Sequence, residues 1–149
     1  MKRILALLFL NFIVLSYSQS TTDDYKQLLD SAIIIKKNSI EKNVKNKNYY
    51  IINADNSKYS ISNKILEQSI KSIDIYDKGN RYLIKKGINV WKVMPILNRG
   101  QLTIDIIDFS VSYKNNNYQF LNNGGSKIIF EYSCTEKKWI ILKESHSGI

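Results

Sequence analysis

The stretch INVWKVMPILNRGQLTIDIIDFSVSYK, residues 88–114, decides the fold. Residues 88–94 are predicted to form a strand that ends or bulges at Pro95, with a turn at 98–100. Two alternating apolar sets follow, at 102, 104 and 106 and then at 109, 111 and 113, and they are out of phase. One extra residue at Ile107-Asp108 brings both sets onto one side, which predicts a β-bulge in a long bent strand. A helix also suits the spacing 102, 106, 109 and 113, but the Thr, Ser, Val and Tyr content favours a strand.

The rest of the C-terminal half is predicted to be strands separated by turns. Asparagine and glycine tolerate positive φ, so connections are predicted at 115–117 and at Asn122-Asn123-Gly124-Gly125. Residues 127–134 are predicted to form a strand, 135–138 a turn, and 139–143 the last strand. These three segments together predict a C-terminal hairpin.

The N-terminal half is predicted to supply the helices. A helix is predicted over about 22–37, because Thr21-Thr22-Asp23-Asp24 is typical of a helix start and apolar residues follow at helical spacing. A strand is predicted at 49–53, and a second helix over about 63–72 with Ser62 as its cap. Helices followed by antiparallel strands indicate an α+β class, with the N-terminal helix and a second short helix packed on a curved antiparallel sheet.

Residues 1–18 have the layout of a cleaved secretory signal peptide. A positive start is followed by an apolar run of about a dozen residues and by Ser16-Tyr17-Ser18, so cleavage before Gln19 is expected. A spanning helix needs roughly 20 residues, so an uncleaved membrane anchor is the less favoured alternative. Residues 19–149 then form a single periplasmic or secreted domain in which no stable membrane span is expected.

The chain is basic, with a formal net charge of +9 that becomes +7 once Lys2 and Arg3 leave with the signal peptide. Nucleic acid is not an expected partner, because nearly all of the positive charge is lysine, and arginine is the preferred residue for phosphates and guanine edges. The densest cluster is predicted to be a solvated face, with an anionic envelope polymer as an alternative partner. It comprises Lys36, Lys37, Lys42, Lys45 and Lys47.

Polar residues around the predicted bulge are the main candidates for chemistry. With the bulge in place, Asp105 and Asp108 share one face with Thr103, Ser110 and Ser112. Two carboxylates a few strand positions apart, about 6–8 Å, suit acid–base catalysis or a hard cation. The solvated outer face of an antiparallel sheet gives the same pattern and is the favoured interpretation. The candidate binding residues are Trp91, Asp105, Asp108 and Tyr113.

Catalytic residues, a metal site and a cofactor are not predicted. His146 is the only histidine and Cys134 the only cysteine, so a zinc site and a Ser/His/Asp arrangement both lack parts. Cys134 shares the phase of the apolar residues 128, 130 and 132, which predicts a buried thiol. The favoured function is an exported, non-catalytic module that binds a protein or a small ligand. The alternatives are a small hydrolase or isomerase with Asp105 or Asp108 as the base in a cone-shaped pocket, and a secreted inhibitor or immunity-type protein.

The last third of the chain resembles small uncharacterised exported proteins of Bacteroidota. The resemblance covers about half of the chain and implies a bacterial, exported protein without implying an activity. It rests on residues 102–113 around Asp108, on Gly124-Gly125-Ser126, on Glu131-Tyr132-Ser133-Cys134 before Trp139, and on the Ser-Tyr-Ser-Gln end of the signal peptide. A bent sheet around an N-terminal helix also resembles the cystatin-like and nuclear-transport-factor-like cone architecture, without a shared motif.

Overall fold

The computed structural model describes residues 24–40, 48–63, 66–67 and 70–148. The predicted signal peptide therefore lies outside the described residues. In chain order the elements are helix α1 (residues 24–40), strand β1 (Tyr49–Ile52), strand β2 (Lys71–Ser72), a 3-10 turn (Lys78–Asn80), helix α2 (Arg81–Lys85), and strands β3 (Ile88–Asn98), β4 (Gln101–Lys114), β5 (Asn117–Ser133) and β6 (Lys138–Gly148).

The six strands form one open sheet in the order β2-β1-β3-β4-β5-β6. Strands β3 to β6 make an antiparallel meander, whereas β1 pairs in parallel with both β2 and β3. Helices packed against this mostly antiparallel sheet confirm the predicted α+β class. Within the described ranges, no helix has both the length and the apolar character needed to cross a bilayer.

One side of the sheet packs against helix α1, and we call it the α1 face. Trp91 of β3 and Ile104 and Ile106 of β4 lie on it and form one buried core with Ala32 and Ile33 of the helix. These residues alternate along each strand with residues that point the other way. Each fully buried isoleucine contributes about 2 kcal/mol to stability by leaving water.

The opposite side, the α2 face, has a core of its own. Ile88 and Val90 of β3 and Val111 of β4 pack there with Ile84 of helix α2 and with Ile75. The start of β3 is therefore buried on both sides, because neighbouring residues such as Val90 and Trp91 enter different cores. This is why its sequence is apolar without a clean alternation.

The register between β4 and β5 shifts between Ile107 and Phe109, which confirms the position of the predicted bulge. The extra residue belongs to β5, however, where Asn123 and Gly124 together stand opposite Asp108. The pairing of β4 with β3 is unbroken, so the residues at 102–106 face α1 and those at 109–113 face α2. The prediction that the bulge unites both apolar sets on one side is wrong, because each face has its own helix to cover it.

Gly124 is the residue that allows this bulge. Its φ is +109°, a conformation that residues with a side chain rarely adopt. A Cβ at this position would also collide with the carbonyl oxygen of Ser147 in β6. Residues 122–125 thus lie inside a strand, and the prediction that they form a connection is wrong.

Pro95 lies inside β3, which continues past it to Asn98. Its partner on one side is Ile104 of β4, but β1 pairs with β3 only as far as Lys92. The edge of β3 beyond Lys92 therefore has no ladder on the β1 side, and a residue without an N–H is tolerated there. The prediction that the strand ends or bulges at Pro95 is thus wrong, because β3 runs three residues further and its register with β4 is unbroken.

The tight turns of the meander are confirmed. Arg99 and Gly100, and then Asn115 and Asn116, connect their strands as pairs of residues with positive φ. Such pairs match the right-handed twist of the flanking strands. The C-terminal hairpin is also confirmed, with β6 running on to Gly148 rather than ending at Lys143.

Cys134 is exposed, so the prediction of a buried thiol is wrong. Strand β5 ends at Ser133, and the turn comprises residues 134–137 instead of 135–138. Cys134 is therefore the first residue of the turn, and it does not continue the alternation that directs apolar side chains of β5 into the core.

The predicted second helix is confirmed in its first part. Glu67 donates its backbone N–H to the carbonyl of Asn63 at 3.0 Å, and Ile70 donates to that of Leu66 at 2.8 Å. The Asn63 side chain accepts from the Leu66 N–H, so the predicted cap at Ser62 is one residue early. The segment after Ile70 forms strand β2 instead of continuing the helix.

Candidate functional site

The structure brings together two of the four predicted binding residues. Trp91 of β3 and Asp108 of β4 are direct cross-strand partners on the α1 face. Asp105 points to the opposite side, where it pairs with Lys127 of β5 at 3.6 Å, and Tyr113 packs against the core of the α2 face. The prediction that Asp105 and Asp108 share a face is therefore wrong, because no residue is inserted between them in β4.

Lys36 of helix α1 completes the arrangement around Asp108. The residue is buried with only 1% of its surface exposed, and its Nζ lies 2.8 Å from Oδ2 of Asp108. The ammonium also lies 5.4 Å from the centre of the Trp91 ring. Lys36 is thus a core residue whose charge is matched by Asp108, which corrects its assignment to a solvated lysine face.

Ser126 and His146 extend the network to the edge of the sheet. Lys36 Nζ donates to Oγ of Ser126 at 3.2 Å, and that oxygen lies 2.7 Å from Nδ1 of His146, its cross-strand neighbour in β6. The hydroxyl oxygen of Ser126 thus bridges the ammonium and the imidazole. The chain of contacts therefore runs from Asp108 through Lys36 and Ser126 to an exposed imidazole.

Two atoms of this site are buried without a hydrogen-bond partner in the described part of the chain. They are Oδ1 of Asp108, an acceptor, and Nε1 of Trp91, a donor. Tyr49 of β1 stacks on Trp91, with ring centres 4.8 Å apart. Burial, and secondly the negative charge of Asp108, raise the pKa of Tyr49 above its ordinary value.

A shallow polar groove of about 500 Å³ lies on the α1 face, beside the first residues of β3. The pairing of β3, β4 and β5 places five of its side chains on the same face as Trp91 and Asp108. They are Asn89, Ser110, Ser112, Gln119 and Leu121, and together they define the polar groove.

All five side chains of the polar groove are uncharged, and the four amides and hydroxyls can both donate and accept hydrogen bonds. Asn123 donates its amide to Oγ of Ser110 at 2.8 Å, which fixes one hydroxyl at the bulge. Leu121 is 67% exposed and gives the groove an apolar contact. Such a surface suits a ligand with hydroxyl groups on one side and C–H groups on the other.

Sequence reasoning missed Lys36, Ser126 and His146 as members of one site. A signal for Lys36 was present, because it falls on the apolar stripe of the helix, in phase with Ile33 and Ile40. Ser126 and His146 meet only through the register of β5 and β6, which the sequence does not fix.

The polar groups around Lys36 are engaged with one another. The charge of Asp108 is matched by Lys36, and Ser126 is 6% exposed, so neither group is a free base or an accessible nucleophile. Among the residues that the structure describes, no three His, Cys, Asp or Glu side chains come together for a metal. Comparisons with protein-family models, with curated proteins and with solved structures find no match to this chain.

Proposed function

We propose that this chain is an exported, non-catalytic binding module that holds a neutral, hydroxyl-rich ligand, such as a sugar, in the polar groove. Export is inferred from residues 1–18 of the sequence. The observation that carries the binding function is the set of groove side chains on the α1 face, which are amides, hydroxyls and one exposed leucine, with no charged group among them. An anionic ligand would find no cation on these side chains.

The ion pair of Lys36 and Asp108 supports this proposal as a structural base for the groove. Asp108 lies two residues before Ser110 on the same face of β4. A carboxylate held by a buried ammonium keeps its position when a ligand arrives, so the neighbouring side chains are preorganised. Its charge is already compensated, which leaves hydrogen bonding as the means of recognition.

NMR titration with a panel of neutral mono- and oligosaccharides tests the proposal. We expect saturable shifts of the side-chain amides of Asn89 and Gln119, with Kd values in the millimolar range for single sugars. The double substitution Asn89→Ala and Gln119→Ala should weaken binding at least tenfold, which corresponds to about 1.4 kcal/mol. Gln27→Ala, on the exposed side of α1, is the matched control and should bind as the parent does. Equal binding by the double variant, or no shift at the groove with any sugar, would contradict the proposal.

A hydrolase is the second candidate, and the contact between Ser126 and His146 is the observation that favours it. A serine hydroxyl 2.7 Å from an imidazole nitrogen is half of a nucleophilic site. Within the described residues, however, no carboxylate is hydrogen-bonded to His146, and Lys36 donates to the oxygen that would attack. A fluorophosphonate probe distinguishes the two functions, since a hydrolase would be labelled in the parent and not in Ser126→Ala. We expect no labelling of either.

A further inference from the structure

Arg81, at the start of α2, lies on the side of the sheet away from the polar groove. Its guanidinium carbon is 4.9 Å from the centre of the Tyr113 ring. Tyr113 packs on Tyr118, with ring centres 4.7 Å apart, and Tyr118 meets Tyr76 edge to face at 5.3 Å. We call these four residues the arginine–tyrosine stack.

Two hydrogen-bond donors in this stack are buried and have no acceptor in the described part of the chain. They are Nε of Arg81 and the hydroxyl of Tyr118. No ion pair of the described residues includes Arg81. Stacking on Tyr113 explains why the guanidinium lies where it does, but it leaves the N–H edge of the group without a partner. Buried donors almost always have an acceptor in native proteins, and none of the described residues supplies one to these two groups.

The charges around the stack favour an anion. Three lysines belong to the helical segment of Arg81 or follow it directly, and they are Lys78, Lys85 and Lys86. Lys86 lies over the exposed ring of Tyr82, with its Nζ 4.3 Å from the ring centre. Within a Debye length these charges add to the attraction that Arg81 exerts on a negative group.

The two acidic residues of the same segment are already engaged. Asp74 accepts the backbone N–H of Tyr76 at 2.9 Å, and Asp77 accepts that of Gly79 at 2.9 Å. Both carboxylates therefore shape turns of the chain next to the stack. Neither hydrogen-bonds to the guanidinium of Arg81.

We propose that the arginine–tyrosine stack is a binding site for an oxyanion, a carboxylate or phosphate group carried by a larger ligand. The planar fork of Arg81 would bind two oxygens of the group side by side, and the Tyr118 hydroxyl would donate to it. Tyr113, one of the residues expected from the sequence to bind a ligand, holds the guanidinium in the orientation that the fork requires. This site is independent of the proposed function of the polar groove, since it lies on the other face and takes a ligand of opposite character.

Titrations with inorganic phosphate and with acetate, at constant ionic strength against chloride, test this site in the full chain. The readout is the Nε–H resonance of Arg81 in the NMR spectrum, which is assigned by its loss in Arg81→Lys. We expect phosphate, acetate or both to shift this resonance saturably, and the stronger of the two identifies the chemistry of the natural group. The resonance of Arg99, in the turn between β3 and β4, is the internal control and should not saturate.

Three variants make the test sharp. Arg81→Lys keeps the charge but loses the fork, and it should weaken binding at least tenfold. Tyr118→Phe keeps the ring and should weaken binding severalfold, whereas Arg99→Gln should leave it unchanged. An equal shift by chloride, equal shifts at Arg81 and Arg99, or undiminished binding by Arg81→Lys would overturn the proposal. If Arg81→Lys failed to fold, Arg81→Gln would assign the resonance in the same way, so the titration of the parent remains a test.

Discussion

Lys36 and Arg81 lie on opposite faces of one sheet, and each has its charged group near an aromatic ring. They differ in the hydrogen-bond acceptors around that group. Lys36 has a carboxylate and a hydroxyl within 3.2 Å, and its charge is matched inside the protein by Asp108. Arg81 has an aromatic neighbour and no acceptor among the described residues. In a chain with many cations, the number of acceptors around each one separates those that hold the fold together from those that are open to a ligand.

The largest effect should come from removing the charge that faces Lys36. Asp108→Asn leaves a buried ammonium without its counter-charge, so we expect a loss of about 3 kcal/mol in the free energy of unfolding. Urea denaturation measures this loss.

Asp105→Asn is the matched control, since both aspartates belong to β4 and both pair with a lysine. The partner of Asp105 is Lys127, whose side chain is 53% exposed, so this change should stay within about 0.5 kcal/mol. Similar losses for the two variants would show that the burial of Lys36 does not set the strength of its pair.

A smaller effect should come from the hydroxyl that links Lys36 to His146. Ser126→Ala removes one acceptor from a buried ammonium, and we expect a loss of about 1–2 kcal/mol in the free energy of unfolding. Ser112→Ala, which removes an exposed hydroxyl from the polar groove, should cost less than about 0.5 kcal/mol. If Ser126→Ala were as stable as the parent, Asp108 alone would satisfy Lys36.

Arg81→Gln should change stability less than either substitution in the Lys36 network. No acceptor inside the described chain loses a donor, and the cation–π contact with Tyr113 is worth about 0.5–1 kcal/mol. Thermal unfolding without added anions should therefore show a small shift, and phosphate should stabilise the parent more than the variant. A loss as large as that of Asp108→Asn would mean that Arg81 is as structural as Lys36.

The smallest effect concerns Tyr49, which stacks beside the ion pair. Burial and the charge of Asp108 raise its pKa in the folded state, so its contribution to stability is complete below the unfolded pKa of about 10 and is lost as the pH rises through the folded value. Tyr49→Phe should lose less stability than the parent between about pH 9 and pH 11. Asp108→Asn should lower the pKa of Tyr49 in a tyrosine NMR titration, and an unchanged pKa would contradict the electrostatic link.

The sequence was sufficient for the fold class and for the tight turns at 98–100 and 115–117, because these depend on local residue types and on alternation. It placed a bulge beside Asp108 but in β4, whereas the extra residue belongs to β5. It was insufficient to show which face of the sheet the residues at 109–113 point to. Their alternation fits either face, and only the position of α2 decides between them. α2 itself was not predicted, because a five-residue helix carries almost no periodic signal. Asp108 looked solvated because its partner, Lys36, lies 72 residues away in α1, and alternation along β4 does not reveal such a contact.

The candidate site was half predictable. Trp91 and Asp108 fall on adjacent strands of a hairpin, so their meeting follows from the turn at 98–100. Their lysine, serine and histidine neighbours come from α1, β5 and β6, and the contacts that join them are set by tertiary packing. The role of Tyr113 likewise depends on Arg81, which the sequence presents as one of many basic residues.

The parallel pairing of β1 has a consequence for the order in which the molecule folds. The meander from β3 to β6 has connections of two, two and four residues, and hairpins of this kind close in about 1–10 μs. Strand β1 and helix α1 come first in the chain but have to find partners far along it, so they pay a larger entropy of loop closure. Until α1 docks, the apolar residues of β4 and β5 that it covers stay open to water. We therefore expect the N-terminal helix to dock last and its docking to end an aggregation-prone stage of folding.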